Sequence, residues 1–197
     1  MLLWMDGFDK YGSGSGGATK MLDGIYGAIT GWTPKNTQVR TGLFAFGDSN
    51  PGQNQSFNRI FGGAKSIVGV GYALWISNLP NDATDHWFAR YQNSLGADIC
   101  TICLDAVGQF VVRTGSNSGT IRATSSIAIN TSAWNHVEIK TRFHATLGSC
   151  EIRVNGVTVL NATNINTDAA GGGVADRINI GHQIGDIGST YIDDFFA

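Results

Sequence analysis

The side chains able to do chemistry here are few, and their spacing narrows what chemistry they can do. Of the 15 Asp and Glu residues, the only glutamates are Glu138 and Glu151. A retaining glycosidase needs two carboxylates about 5 Å apart on one face, which sandwich folds deliver on a Glu-x-Asp-x-x-Glu type strand. No such strand occurs. Glu138 lies in WNHVEIKTR and Glu151 in CEIRV, near Lys140, Arg142 and Arg153, so both are expected on a wet face as cross-strand ion-pair partners. His86, His136, His144 and His182 are scattered, with no HxxxH pair to hold zinc, and no G-x-S-x-G elbow offers a serine nucleophile. The glycine-rich run GSGSGG at 12–17 lacks the Lys-Ser/Thr ending of a phosphate loop. These absences predict a non-catalytic chain with no cofactor.

Three cysteines, Cys100, Cys103 and Cys150, leave one unpaired under any disulfide scheme. Cys100 and Cys103 stand three apart in ICTICLD, which on a strand points them to opposite faces. They read as free, buried, small apolar residues, consistent with folding in a reducing cytoplasm. Among the aromatics, Trp87 is the unsettled one. In DATDHWFARYQ strict alternation puts His86, Phe88 and Arg90 on one face and Trp87, Ala89 and Tyr91 on the other. One face must then expose an aromatic or bury a His and an Arg.

The elements that would position these groups are strands. Val137, Ile139, Thr141 and Phe143 alternate with His136, Glu138, Lys140 and Arg142, and Cys150, Ile152 and Val154 alternate with Glu151, Arg153 and Asn155. A period of two puts one set in a core and the other in water. Asn155-Gly156 tolerates the positive φ of a primed two-residue turn, so a further strand starts at Val157. Strands are predicted near 2–8, 39–46, 66–77, 85–92, 98–105, 108–114, 119–129, 134–144, 149–160, 175–182 and 189–196. Loops are predicted over Tyr11–Lys20, Gly47–Asn58 and Thr167–Gly173, where turn formers cluster.

Composition agrees with one all-β domain over residues 1–197. Gly is high at 27, Pro is 3 and charged residues are 14%, which suits short strands joined by glycine turns. The net charge of -2, with 13 scattered Lys and Arg, gives no basic footprint for nucleic acid. No stretch approaches the roughly 18 apolar residues of a membrane span. The opening MLLWMDGFDKYG lacks a basic leader and a small-residue cleavage site, and is expected to be a strand rather than a signal peptide.

The order of these motifs resembles a known superfamily. An opening DGFD strand, the Trp134-Asn135-His136-Val137-Glu138-Ile139-Lys140 strand, the Val154-Asn155-Gly156 turn and a terminal Tyr191-Ile192-Asp193-Asp194-Phe195 strand look like the concanavalin A-like, laminin-G-like jelly roll. More narrowly they resemble the small stand-alone members encoded among the structural genes of tailed bacteriophages. The resemblance implies an all-β, two-sheet antiparallel jelly-roll sandwich whose first and last strands lie side by side. Asp6, Asp9, Asp193 and Asp194 would then gather in one place and could hold Ca²⁺ with turn carbonyls.

Two functions follow as expectations. The first is a bacteriophage virion structural protein: a capsid decoration, or a tail, neck or fibre subunit, made in the host bacterial cytoplasm. It would contact other virion proteins and self-oligomerise or bind the lattice through its edge strands. The alternative is a carbohydrate-binding lectin or adhesion module for host-surface polysaccharide. Trp87 would supply the ring, with Asn54 and Asp168 on the neighbouring loops supplying polar contacts to the glycan.

Overall fold

A computed structural model describes residues 5–8, 26–48, 55–80, 86–182 and 189–197. Among these residues there are fifteen strands and no helix. The alternation at 134–160 becomes a hairpin of β11 (Trp134–Arg142) and β12 (Gly148–Val154). Val137 sits opposite Val154, Ile139 opposite Ile152 and Thr141 opposite Cys150, all buried. Asn155 and Gly156 take φ of 51° and 81°, the paired positive values that a primed turn requires. The chain then returns as β13 (Val157–Ile165).

Two antiparallel sheets face each other. Sheet A runs β13-β12-β11-β6-β15-β4-β3, with β1 also paired to β15. Its remaining strands are β1 (Met5–Asp6), β3 (Thr33–Lys35), β4 (Ala45–Asp48), β6 (Ile67–Ile76) and β15 (Thr190–Phe196). Sheet B runs β10-β9-β8-β7-β14-β5-β2. It contains β2 (Ala28–Thr30), β5 (Gln55–Lys65), β7 (His86–Gln92), β8 (Asp98–Leu104), β9 (Gln109–Thr114), β10 (Ile121–Ala128) and β14 (Ala175–His182). The first and last strands do pair, Met5 opposite Phe196 and Asp6 opposite Phe195. This is the all-β jelly-roll sandwich expected from the sequence.

Both sheets close on an aromatic cluster. Phe57 of β5 lies 5.0–6.1 Å, centroid to centroid, from Phe8, Tyr26, Trp32, Phe46 and Phe195. All six are buried, and their mostly edge-to-face geometry suits the ring quadrupoles.

The described residues of one predicted loop are strand. Residues 55–65 form β5 rather than the tail of a loop over Gly47–Asn58, and β4 extends to Asp48. Turn formers there were read by type, but Asn58 is the outward half of an alternation around buried Phe57. The short strands β2 and β3 were not foreseen; each is three residues long and exists only by pairing with β5 or β4. The predicted loop at Thr167–Gly173 lies between β13 and β14 as expected, while the one at Tyr11–Lys20 lies outside the described residues.

Candidate functional site

The outer face of sheet B carries a connected set of hydrogen-bonding side chains. A bulge in β7 creates it. The register against β8 shifts between Trp87 and Ala89, so Phe88, Ala89 and Tyr91 all enter the main core while Trp87 packs elsewhere, with Cys103 and Val111. Arg90 shares that outer face, its guanidinium carbon 3.9 Å from the centroid of the Trp87 ring. The strict alternation expected for DATDHWFARYQ fails here, because a bulge moves every later side chain by one position. The dilemma it posed dissolves. Trp87 is 3% exposed and His86 1% exposed, so Trp87 does not present a ring to solvent and is not the exposed stacking platform expected for a glycan.

Register then lines up a polar row across five strands. Asn58 lies opposite Asn179, Asn179 opposite Arg90, Arg90 opposite Thr101, and Thr101 opposite Arg113. With strands about 4.8 Å apart, the row is roughly 20 Å long. Beside it stand Arg177, Gln92 and Asp98, again opposite one another. A relay fixes the centre: Asn179 donates to Gln92 at 2.7 Å, Gln92 donates to Asp98 at 2.7 Å, and Arg90 pairs with Asp98 at 3.6 Å. Arg113 donates to the Gly119 carbonyl and Arg177 to that of Ser94. Three atoms of this face, Asn58 Oδ1, Arg90 Nε and Arg177 Nε, are buried without a hydrogen-bond partner. Each such atom ordinarily costs about 1–3 kcal/mol. Among the described residues, Arg90, Arg113 and Arg177 share this face with the carboxylate of Asp98, which Arg90 pairs.

The outer face of sheet A differs. Tyr191, Trp75 and Trp134 stand opposite one another on β15, β6 and β11, Trp75 and Tyr191 meeting edge to face at 5.5 Å. Further along the same face a groove of about 590 Å³ opens, walled by Phe196 on one side and by Glu138, Lys140, Glu151 and Arg153 on the other. Its floor includes Gly69, above which a Cβ would meet nothing within 4 Å.

The carboxylates proposed for calcium have other duties. Asp193 Oδ2 accepts the backbone N–H groups of Arg40 and Thr41, both at 3.1 Å. Asp194 accepts the Arg40 guanidinium and the Thr41 hydroxyl, each at 2.7 Å. These donors anchor the β3–β4 loop to the last strand, and a cation would have to displace an arginine to reach them, so the residues do not fit a calcium site. The side chain of Asp6 and all of Asp9 lie outside the described residues. Burial raises the Asp193 carboxyl from 3.8 to about 6, with the Asp194 charge adding to the rise and the N–H of Thr41 opposing it.

Asp168, expected to contact a glycan, is 3% exposed. Its oxygens accept the N–H groups of Ala170, Gly171 and Gly173, so it builds its own loop, and Asn54 lies outside the described residues. Cys100 and Cys103 do point to opposite faces, and all three thiols are free and buried. Burial pushes Cys100 well above the ordinary thiol range and Cys150 up to about 12, which suits inert packing. Sequence reasoning missed Asn58, Arg90, Arg113, Arg177 and Asn179 as a group. The usable signal was outward polar positions recurring on five strands, but strand order was needed to bring them together.

No protein-family model matches this sequence, and no curated protein matches it. Similar solved structures share the fold. Cip1, a cellulose-induced protein, aligns at TM-score 0.70 and 13% identity, covering 98% of this chain and 95% of that one. An endo-β-1,4-glucuronan lyase from the fungus Trichoderma reesei aligns at 0.64 and 14%, covering 89% and 91%. An alginate lyase in complex with an alginate tetrasaccharide aligns at 0.56 and 14%, covering 98% and 94%. At such identities the likeness is one of fold.

The comparisons correct two expectations. Catalysis was excluded because the paired carboxylates of a glycosidase are missing, yet this sandwich also carries lyases. A lyase breaks the chain by elimination and needs no such pair, so the exclusion does not hold. The virion assignment, with its capsid or tail partners, has no counterpart among these structures. The chain has the two-sheet jelly-roll fold of these structures, a fold that polysaccharide lyases also adopt.

Proposed function

We propose that this chain recognises an acidic polysaccharide laid across the outer face of sheet B. The observation that carries the reading is the half-buried arginines of this face, Arg90 and Arg113 in the transverse row and Arg177 beside it, set around buried Asn179 and Thr101. A row running across strands matches an extended chain, and guanidiniums engage carboxylates with paired, charge-assisted hydrogen bonds. Three arginines beside the one carboxylate of Asp98, among the described residues, favour a uronate polymer over a neutral one. Glucuronan and alginate, named for two of the neighbours, are of that class. Trp87 is support rather than platform: buried beneath Arg90, it fixes the guanidinium by cation–π contact.

The test is titration calorimetry with oligomers of alginate, of polyglucuronate and of cellulose, at low and high salt. The expected result is binding to an acidic oligomer that weakens with salt and falls by about tenfold or more in Arg90→Ala. Equal affinity for the neutral oligomer, or binding indifferent to Arg90→Ala, overturns the reading. Following the same mixtures for the ultraviolet absorbance of a new carbon–carbon double bond reports whether the bound chain is also cleaved.

A further inference from the structure

We infer that the groove on the outer face of sheet A is a second saccharide site, for a neutral sugar, on the opposite side of the sandwich from the acidic-chain face. The hairpin register places Glu138 opposite Arg153 and Lys140 opposite Glu151, which by itself favours two cross-strand ion pairs. Instead the Arg153 guanidinium turns along its own strand to Glu151, two residues away, at 2.7 Å. Among the described residues no hydrogen bond or ion pair engages the side chain of Glu138 or Lys140. Half-buried Glu138 and exposed Lys140 therefore offer an unused acceptor and an unused donor at the rim of one cavity.

The cavity has the size and the wall for a sugar ring. At about 590 Å³ it falls in the range of roughly 300–1,000 Å³ usual for small-molecule sites. Phe196 forms one wall. Its ring lies over Gly71, where any Cβ would collide with it, and stacks with His136 at 6.2 Å and 28°, so the aromatic plane is held in place. Apolar C–H faces of a pyranose pack on such a ring, while hydroxyls bond to a carboxylate and an ammonium. The floor at Gly69 is bare. Two acidic and two basic side chains line the groove, so its side chains carry no net charge. That balance favours a neutral ligand, whereas the three arginines of sheet B favour an acidic one.

Gly69 supplies a direct test, because it has space above it and no positive φ. Leucine there fills the floor without backbone strain. Cello-oligosaccharide and manno-oligosaccharide serve as probes, read by saturation-transfer NMR and calorimetry. Wild type is expected to bind at least one of them. Gly69→Leu should weaken that binding by about tenfold or more, and Glu138→Gln by several-fold, with the thermal midpoint of each variant near wild type. Arg90→Ala should leave it unchanged. Absence of binding to both probes, or retention in Gly69→Leu and Glu138→Gln alike, overturns the inference. Loss in Arg90→Ala would move the ligand to sheet B and overturn it equally. Acidic-chain binding is measured separately, so either site can fail alone.

Discussion

The two outer faces of the sandwich are built from similar residues and come out opposite in character. On sheet B the large aromatic, Trp87, is buried with Cys103 and Val111, and the polar side chains above it are bonded to one another. On sheet A, Trp75, Trp134 and Phe196 stay half-exposed, and the side chains of Glu138 and Lys140 are bonded to nothing described. The difference traces to backbone. A bulge in β7 brings Arg90 over Trp87, whereas β6 presents Gly69 and Gly71 where side chains would otherwise fill the face. Arginines gather on one face, while missing side chains hollow the other.

Four substitutions would break or sharpen this contrast. Trp87→Ala carries the largest expected effect. A buried Trp lost to Ala typically costs about 3–5 kcal/mol, so chemical denaturation should show a large fall in midpoint; an unchanged midpoint would mean that Trp87 is not buried scaffold. Next, Arg90→Ala should leave stability close to wild type while weakening an acidic oligosaccharide by about tenfold or more. A stability loss as large as that of Trp87→Ala would recast Arg90 as packing. Phe196→Ala, on the opposite face, is expected to cost little over 1 kcal/mol because the ring is only half-buried, yet to weaken a neutral probe several-fold. If it weakens the acidic probe instead, the assignment of the two faces is reversed.

The smallest effect concerns pH. Asp193 is raised in the folded protein from 3.8 to about 6, so between these values the native state binds more proton than the unfolded one. Its contribution to stability is therefore full below about pH 4 and is lost as pH rises through about 6. Urea midpoints across that interval should fall less steeply for Asp193→Asn than for wild type. A slope identical in the two proteins would show that the carboxyl titrates normally.

Much of the architecture was legible from alternation and turn chemistry. The β11–β12 hairpin, the Asn155-Gly156 turn, the strand at 175–182 and the pairing of the first and last strands all follow from local patterns or from the order of motifs. Strand β5 was hidden, because Asn, Gln and Ser in an outward strand look like turn formers. The site was less legible. Trp87, Asn54 and Asp168 were chosen by residue type, and of the two described, one is buried scaffold and the other caps its own loop.

Sequence by itself determined which side chains alternate, where the chain turns, and that its thiols are three and its glutamates two. Those are properties of neighbours along the chain, where sterics and a period of two suffice. Tertiary structure decided that Asn58, Asn179, Arg90, Thr101 and Arg113 form one row, and that Arg153 turns to Glu151 and leaves Glu138 free. Residues 58 and 179 are adjacent only because β14 lies between β5 and β7. Strand order and bulges are set by how the whole core closes, and no local pattern records them.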